Sequence, residues 1–140
     1  MKFSFEIKAR TTSEKIWSLY EDVNKWFTWE DDLEEISLSG DFVHGTSGIM
    51  KLTDQPAMDF ELVTVIPNKE FTDKTSIPGV GDIYFIHQLI QNDNCVFIKH
   101  AVEFVPTDRE TTVEDSQFVS QIFSDVPASV FSLVRAANEL

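Results

Sequence analysis

The chain has 140 residues, 42% of them hydrophobic, and its 24 acidic and 11 basic side chains give a formal charge of −13. A chain of that length buries roughly two-thirds of its unfolded surface, so a single domain over residues 1–140 with one core is expected. The negative field repels phosphate backbones and anionic bilayers, which excludes nucleic acid as a partner and stable membrane insertion as a mode of action. The acids are spread along the chain and read as a solvated surface.

No run approaches the ~18 apolar residues of a membrane span. Met1 to Glu6 alternates polar and apolar residues where a signal peptide would need an unbroken apolar stretch, so a cytoplasmic location is expected. A lone cysteine, Cys95, excludes an internal disulfide, and with no charged residue beside it in sequence it reads as a structural thiol.

Residues 2 to 9 place Phe3, Phe5, Ile7 and Ala9 on one face and Lys2, Ser4, Glu6 and Lys8 on the other, the pattern of a half-buried strand. Thr11 and Glu14 then have capping-box spacing, and Ile16, Trp17, Leu19 and Tyr20 form a helical stripe. A second short helical piece is expected from Trp26 to Leu33. From residue 35 to 105 the pattern is β, divided into six more strands by turn residues such as Asp54-Gln55-Pro56, Pro67-Asn68, Pro78-Gly79 and Asn92-Asp93. Val119, Ile122, Phe123, Val126, Val130, Leu133, Val134 and Ala137 then recur at offsets of three and four, which predicts one helix over 114–138, kinked where Pro127 cannot donate to the Phe123 carbonyl.

The expected fold is therefore α+β: a seven-stranded antiparallel sheet with two short helices after strand one and a long C-terminal helix. One helix is too narrow to cover such a sheet, so the sheet must curl around it and leave a pocket at one end.

Lys8-Ala9-Arg10-Thr11-Thr12-Ser13-Glu14-Lys15-Ile16-Trp17, Trp26 with Trp29, Gly40-Asp41-Phe42, Val65-Ile66-Pro67, Phe85-Ile86-His87 and Val126-Pro127-Ala128-Ser129-Val130 together resemble the START-related (SRPBCC) superfamily, in its polyketide cyclase/dehydrase-like branch. The resemblance implies a helix-grip fold whose cavity takes lipids, hormones, polyketides or aromatic intermediates. Some members of the family catalyse, many only bind or carry, and one branch works through protein contacts; no shared catalytic motif exists to transfer, so fold alone does not choose among them.

Strand parity points Val96, Ile98, His100, Val102 and Phe104 to one face, with Ile83, Phe85, His87 and Leu89 on the matching face. A hairpin turning at Asn92-Asp93 sets Phe85 opposite His100 and His87 opposite Ile98, leaving the two imidazoles diagonal at roughly 7 Å. Carrying the count on, Phe71, Asp73, Thr75 and Ile77 face inward opposite Ile66, Thr64, Leu62 and Phe60, and a five-residue Pro78-to-Asp82 loop places Asp73 beside His87. His87, His100 and Asp73 are the candidate catalytic groups, an imidazole oriented by a carboxylate in a dry pocket. An inward histidine is, all the same, more often a satisfied core residue.

Phe60, Leu62, Phe85, Ile98, Val102, Phe123 and Val126 are expected to line the cavity, with Trp26 and Trp29 at its core or rim. No phosphate-binding loop, nucleophile elbow or zinc motif occurs, and the three histidines lack metal-ligand spacing, so neither cofactor nor metal is expected. Three functions stay open: a binder of a small hydrophobic molecule, a cyclase, dehydratase or isomerase using a cavity histidine, and a protein-interaction module. Monomer and homodimer are both compatible with the sequence.

Overall fold

A computed structural model describes all 140 residues. Strand β1 (Lys2–Ala9) leads into helix α1 (Ser13–Glu21) and a 3₁₀ helix (Val23–Thr28). Strands β2 (Leu33–Leu38), β3 (Ser47–Leu52), β4 (Met58–Ile66), β5 (Glu70–Ile77), β6 (Gly81–Asn92) and β7 (Cys95–Pro106) follow, then helices α2 (Val113–Phe123) and α3 (Val126–Asn138). All seven strands join one antiparallel sheet in the order β1-β7-β6-β5-β4-β3-β2. The segment after β1 crosses the sheet to its far edge, and the chain then returns by hairpins until β7 pairs with β1. This is the expected helix-grip architecture.

Helix α1 starts one residue later than the capping-box spacing suggested. Thr12 is the N-cap, its Oγ1 accepting from the Lys15 amide at 3.2 Å, while Thr11 is buried with its hydroxyl unpartnered. The piece expected over Trp26 to Leu33 is instead the 3₁₀ helix ending at Thr28, and Leu33 already belongs to β2. Its indoles close the end of α1: Trp26 Nε1 donates to the Tyr20 carbonyl at 2.8 Å and Trp29 Nε1 to the Leu19 carbonyl at 3.2 Å. Carbonyls that a helix terminus leaves without partners are satisfied this way, and both indoles are fixed in the core.

The C-terminal helix keeps one apolar phase from Val113 to Asn138 but opens at Ser124-Asp125, where both residues retain right-handed helical dihedrals. Pro127, in the first turn of α3, removes the amide that would have bonded to Phe123, and the helix bends where the sequence placed the kink. Helix α2 begins at a capping box between Thr112 and Asp115. Arg109 holds Asp115 through two bonds of 2.7 and 2.9 Å and keeps its carboxyl well below the usual range.

Three hairpin registers differ from expectation. The β6–β7 turn is Asp93-Asn94, with Asp93 at φ 53°, so Asn92 pairs with Cys95 and His87 stands directly opposite His100. The shift is by two residues, which preserves the face of every side chain. The β5–β6 loop is Pro78–Val80, shorter than assumed, so Asp73 pairs with Phe85 and Phe71 takes the place opposite His87. In the β4–β5 hairpin Phe71 pairs with Val65, not with the expected Ile66, and Asp73 with Leu62, not Thr64, because a bulge between Leu62 and Thr64 turns both Leu62 and Val65 inward and leaves Ile66 47% exposed.

Gly48 on β3 shows how tightly the sheet's edge half is packed. A β-carbon there would lie 2.5 Å from the Ser37 carbonyl oxygen and 2.6 Å from the Phe60 ring. Gly48→Ala is expected to lower stability by about 2–3 kcal/mol in urea denaturation, because the carbonyl cannot yield without breaking the β2–β3 ladder. A loss below about 0.5 kcal/mol would show that β3 moves freely at this point.

Candidate functional site

The registers arrange the inward side chains in rows across the sheet. One row runs Val65, Phe71, His87, His100, Phe5, and the next runs Leu62, Asp73, Phe85, Val102, Phe3. Beyond it lie Thr75, Ile83 and Phe104.

The histidine row is packed solid. Phe71 stacks on His87 at 3.9 Å between ring centroids and 7° between planes, and His87 meets His100 edge-on at 4.6 Å. Tyr20 and Trp29 close over both imidazoles, with centroids 5.7 to 6.3 Å away. His87 Nδ1 donates to the Phe71 carbonyl at 3.2 Å, and Tyr20 Oη lies 2.7 Å from His100 Nε2. Burial lowers the pKa of His87 to about 3 despite bonds to the Phe71 and Phe85 carbonyls. His100 is likewise held well below its ordinary value, by burial first and then by the neighbouring imidazole. Both rings are therefore neutral groups bonded to the protein's own framework. Asp73 is not among their partners, so the structure does not assemble the expected Asp73–His87 pair.

Asp73 occupies the next row, 2% exposed and flanked by Leu62 and Phe85. Burial pushes its pKa up to about 8, with only its own backbone amide acting in the other direction. Glu30, which the sequence did not mark, shares this region. Its pKa is pushed up to about 8 by burial first and then by Asp32, with Asp73 and Asp125 adding to the effect and the Ser129 hydroxyl opposing it. Carboxyls from β5 and from the break between α2 and α3 thus act through space on the carboxyl before β2. No spacing rule could have signalled this, since the three positions are brought together only by the fold.

The core divides at this level. Trp26, Trp29, Phe60, Leu62 and Ile98 belong to the larger apolar cluster, whereas Val102 belongs to a smaller one with Ile83, Phe104 and Val119. Val126 packs against both, and Phe85 and Phe123 border the smaller. Leu62, Ile98 and Val102 are fully enclosed, while Phe85, Phe123 and Val126 remain half-buried. Of the seven residues expected to line the cavity, Phe60, Leu62 and Ile98 thus belong to the larger apolar cluster, Phe85, Val102 and Phe123 to the smaller, and Val126 bridges the two. Elsewhere, hollows of about 620 Å³ beside Lys8, Arg10 and Cys95 and about 610 Å³ over Ile49, Asp59 and Lys74 open on the outer surface. No group of three or more His, Cys, Asp and Glu residues is arranged to hold a metal, and no helix is long and apolar enough to cross a membrane.

This architecture is the helix-grip fold. No protein-family model and no curated protein matches the sequence. Solved structures do match in fold. Ara h 8.0201 superposes with TM-score 0.74 at 14% identity, covering 100% of this chain and 99% of its own. Norcoclaurine synthase from Thalictrum flavum, in complex with dopamine and hydroxybenzaldehyde, gives 0.72 at 12%, covering 99% and 87%. The Aha1 dimer from Colwellia psychrerythraea gives 0.71 at 20%, covering 98% and 96%.

Proposed function

We propose that the protein binds a small molecule with an apolar body at the seam beneath the break between α2 and α3, against Phe85, Phe123 and Val126. The observation that carries this reading is the exposure of Phe85. It faces inward from the middle of a strand that has neighbours on both sides, and yet it is only half-buried. An inward side chain in the centre of a sheet keeps contact with solvent only where the covering layer leaves an opening, and the helix bends over that row. Half-buried Phe123 and Val126 supply the facing wall, and an apolar opening with a few polar groups is the usual form of a small-ligand site. The ligand-bound norcoclaurine synthase shows that the fold can take aromatic molecules. The enclosed, framework-bonded histidines favour binding over histidine-based acid–base catalysis.

An apolar fluorescent probe is expected to bind with one site per chain, and Phe85→Ala should change its affinity several-fold. Phe97→Ala, one strand over on the outward face, should leave it within about twofold once lost stability is corrected. Equal effects of the two substitutions in a fluorescence titration would place the site elsewhere.

A further inference from the structure

We propose that this seam selects ligands carrying a cationic amine on the apolar body, with the Asp73 carboxylate as counter-ion; the inference rests on the binding reading above. Asp73 is 2% exposed and its row is otherwise entirely apolar. The single fully shielded side-chain polar atom without a partner is Thr11 Oγ1. The Asp73 carboxyl makes no hydrogen bond to another residue and is not among the fully shielded atoms, so a water-sized atom can still touch it.

No cation of the chain answers it. The two ion pairs are Lys51–Glu34 and Arg109–Asp115, both remote from β5, and Lys74 points from the opposite face. The nearest other carboxyl, Glu30, is itself pushed up to about 8 and offers no positive charge. A carboxylate taken out of water is tolerated when an opposite charge is brought to it. A metal lacks the ligand set, whereas an ammonium needs one carboxylate and benefits from an aromatic face. Phe85, the cross-strand partner of Asp73, offers that face.

Proton accounting supplies the signature. The empty site holds Asp73 protonated at neutral pH, so an arriving ammonium that keeps its own protons must expel the carboxyl proton to the buffer. Glu30 and Asp32 before β2, and Asp125 at the helix break, are the other titratable groups facing this space, and Glu30 can add to the release. Tyr20, His87 and His100 are held neutral by burial and contribute nothing between pH 6 and 8.

The test compares 1-naphthylmethylamine with 1-naphthylmethanol, which share one body and differ in charge. The amine is expected to bind at least about tenfold tighter at pH 6.5. Calorimetry in two buffers of different ionisation heat should register release of about one proton for the amine and none for the alcohol. Asp73→Asn should bring the amine to within about threefold of the alcohol, whereas Phe97→Ala on the outward face should leave the ratio of the two affinities unchanged. Equal affinities, or an amine preference that survives Asp73→Asn, would overturn the inference while leaving the binding reading intact. Failure of both probes to bind would overturn the two together.

Discussion

Asp73→Asn is expected to stabilise the unliganded protein at pH 8 and to leave its stability near pH 4 unchanged. In the native state burial raises the Asp73 pKa to about 8, against ~3.9 in an unfolded chain. Between those values the folded form binds a proton that the unfolded form has released, so stability falls as pH rises, by about 1.4 kcal/mol per unit at most. Asn carries no such proton. The variant should therefore gain about 2–5 kcal/mol at pH 8, the range allowing for relaxation and water entry around the carboxylate. Urea denaturation of both proteins at pH 4 and pH 8 measures the difference directly. A variant that is less stable at pH 8 would mean that the ionised carboxylate is held by favourable contacts, and that burial does not govern its state.

The second large effect lies on the acid side and comes from the histidines. His87 resists protonation down to about pH 3 and His100 is also strongly depressed, whereas both take up a proton near ~6.5 once unfolded. Below that pH the unfolded state binds more protons, so stability falls as pH falls, by up to about 2.8 kcal/mol per unit for two groups. From ~4 to ~6.5 the raised carboxyls of Asp73 and Glu30 act with the opposite sign and offset this loss; below ~4 that offset ends, and the Arg109-held Asp115 carboxyl loses stability in the same direction as the histidines. The expected profile is a plateau between ~4 and ~6.5 with decline on either side, about half of the alkaline decline disappearing in Asp73→Asn because Glu30 is raised to about 8 as well. Imidazole NMR signals of His87 and His100 should not titrate between pH 5 and 8, in either protein. Titration near ~6.5 by either ring, or a His87 shift that responds to Asp73→Asn, would show that the enclosed aromatic row is not what holds these groups neutral.

What was legible in the sequence follows from periodicity. A period of two assigns Phe85 inward and Phe97 outward whatever the register, because a slip of two residues keeps every side chain on its face. The same logic placed His87, His100 and Asp73 inside, since the errors in the β5–β6 and β6–β7 hairpins were even; the β4–β5 error was odd at the turn, and Ile66 faces outward instead. The bend in the C-terminal helix was readable because proline acts on its own backbone, through an amide it lacks. The beginning of α1 was readable only to within one residue, since Thr11 and Thr12 offer the same hydroxyl and packing decides which of them caps.

Which inward groups touch was decided elsewhere. One extra or missing loop residue changes cross-strand partners without altering composition or alternation: the Asp93-Asn94 turn put His87 against His100, and the shorter Pro78–Val80 loop separated Asp73 from His87 and gave it Phe85. Glu30 sits in a segment without periodicity and gains its raised pKa only when β5 and the helix break close around it. The sequence by itself determined the strands, their inward faces and the bent helix, because those depend on residues near one another in the chain. Only the tertiary structure decided that the histidines are sealed in the core and that Asp73 and Glu30 are desolvated, because contact and desolvation arise from residues far apart in sequence.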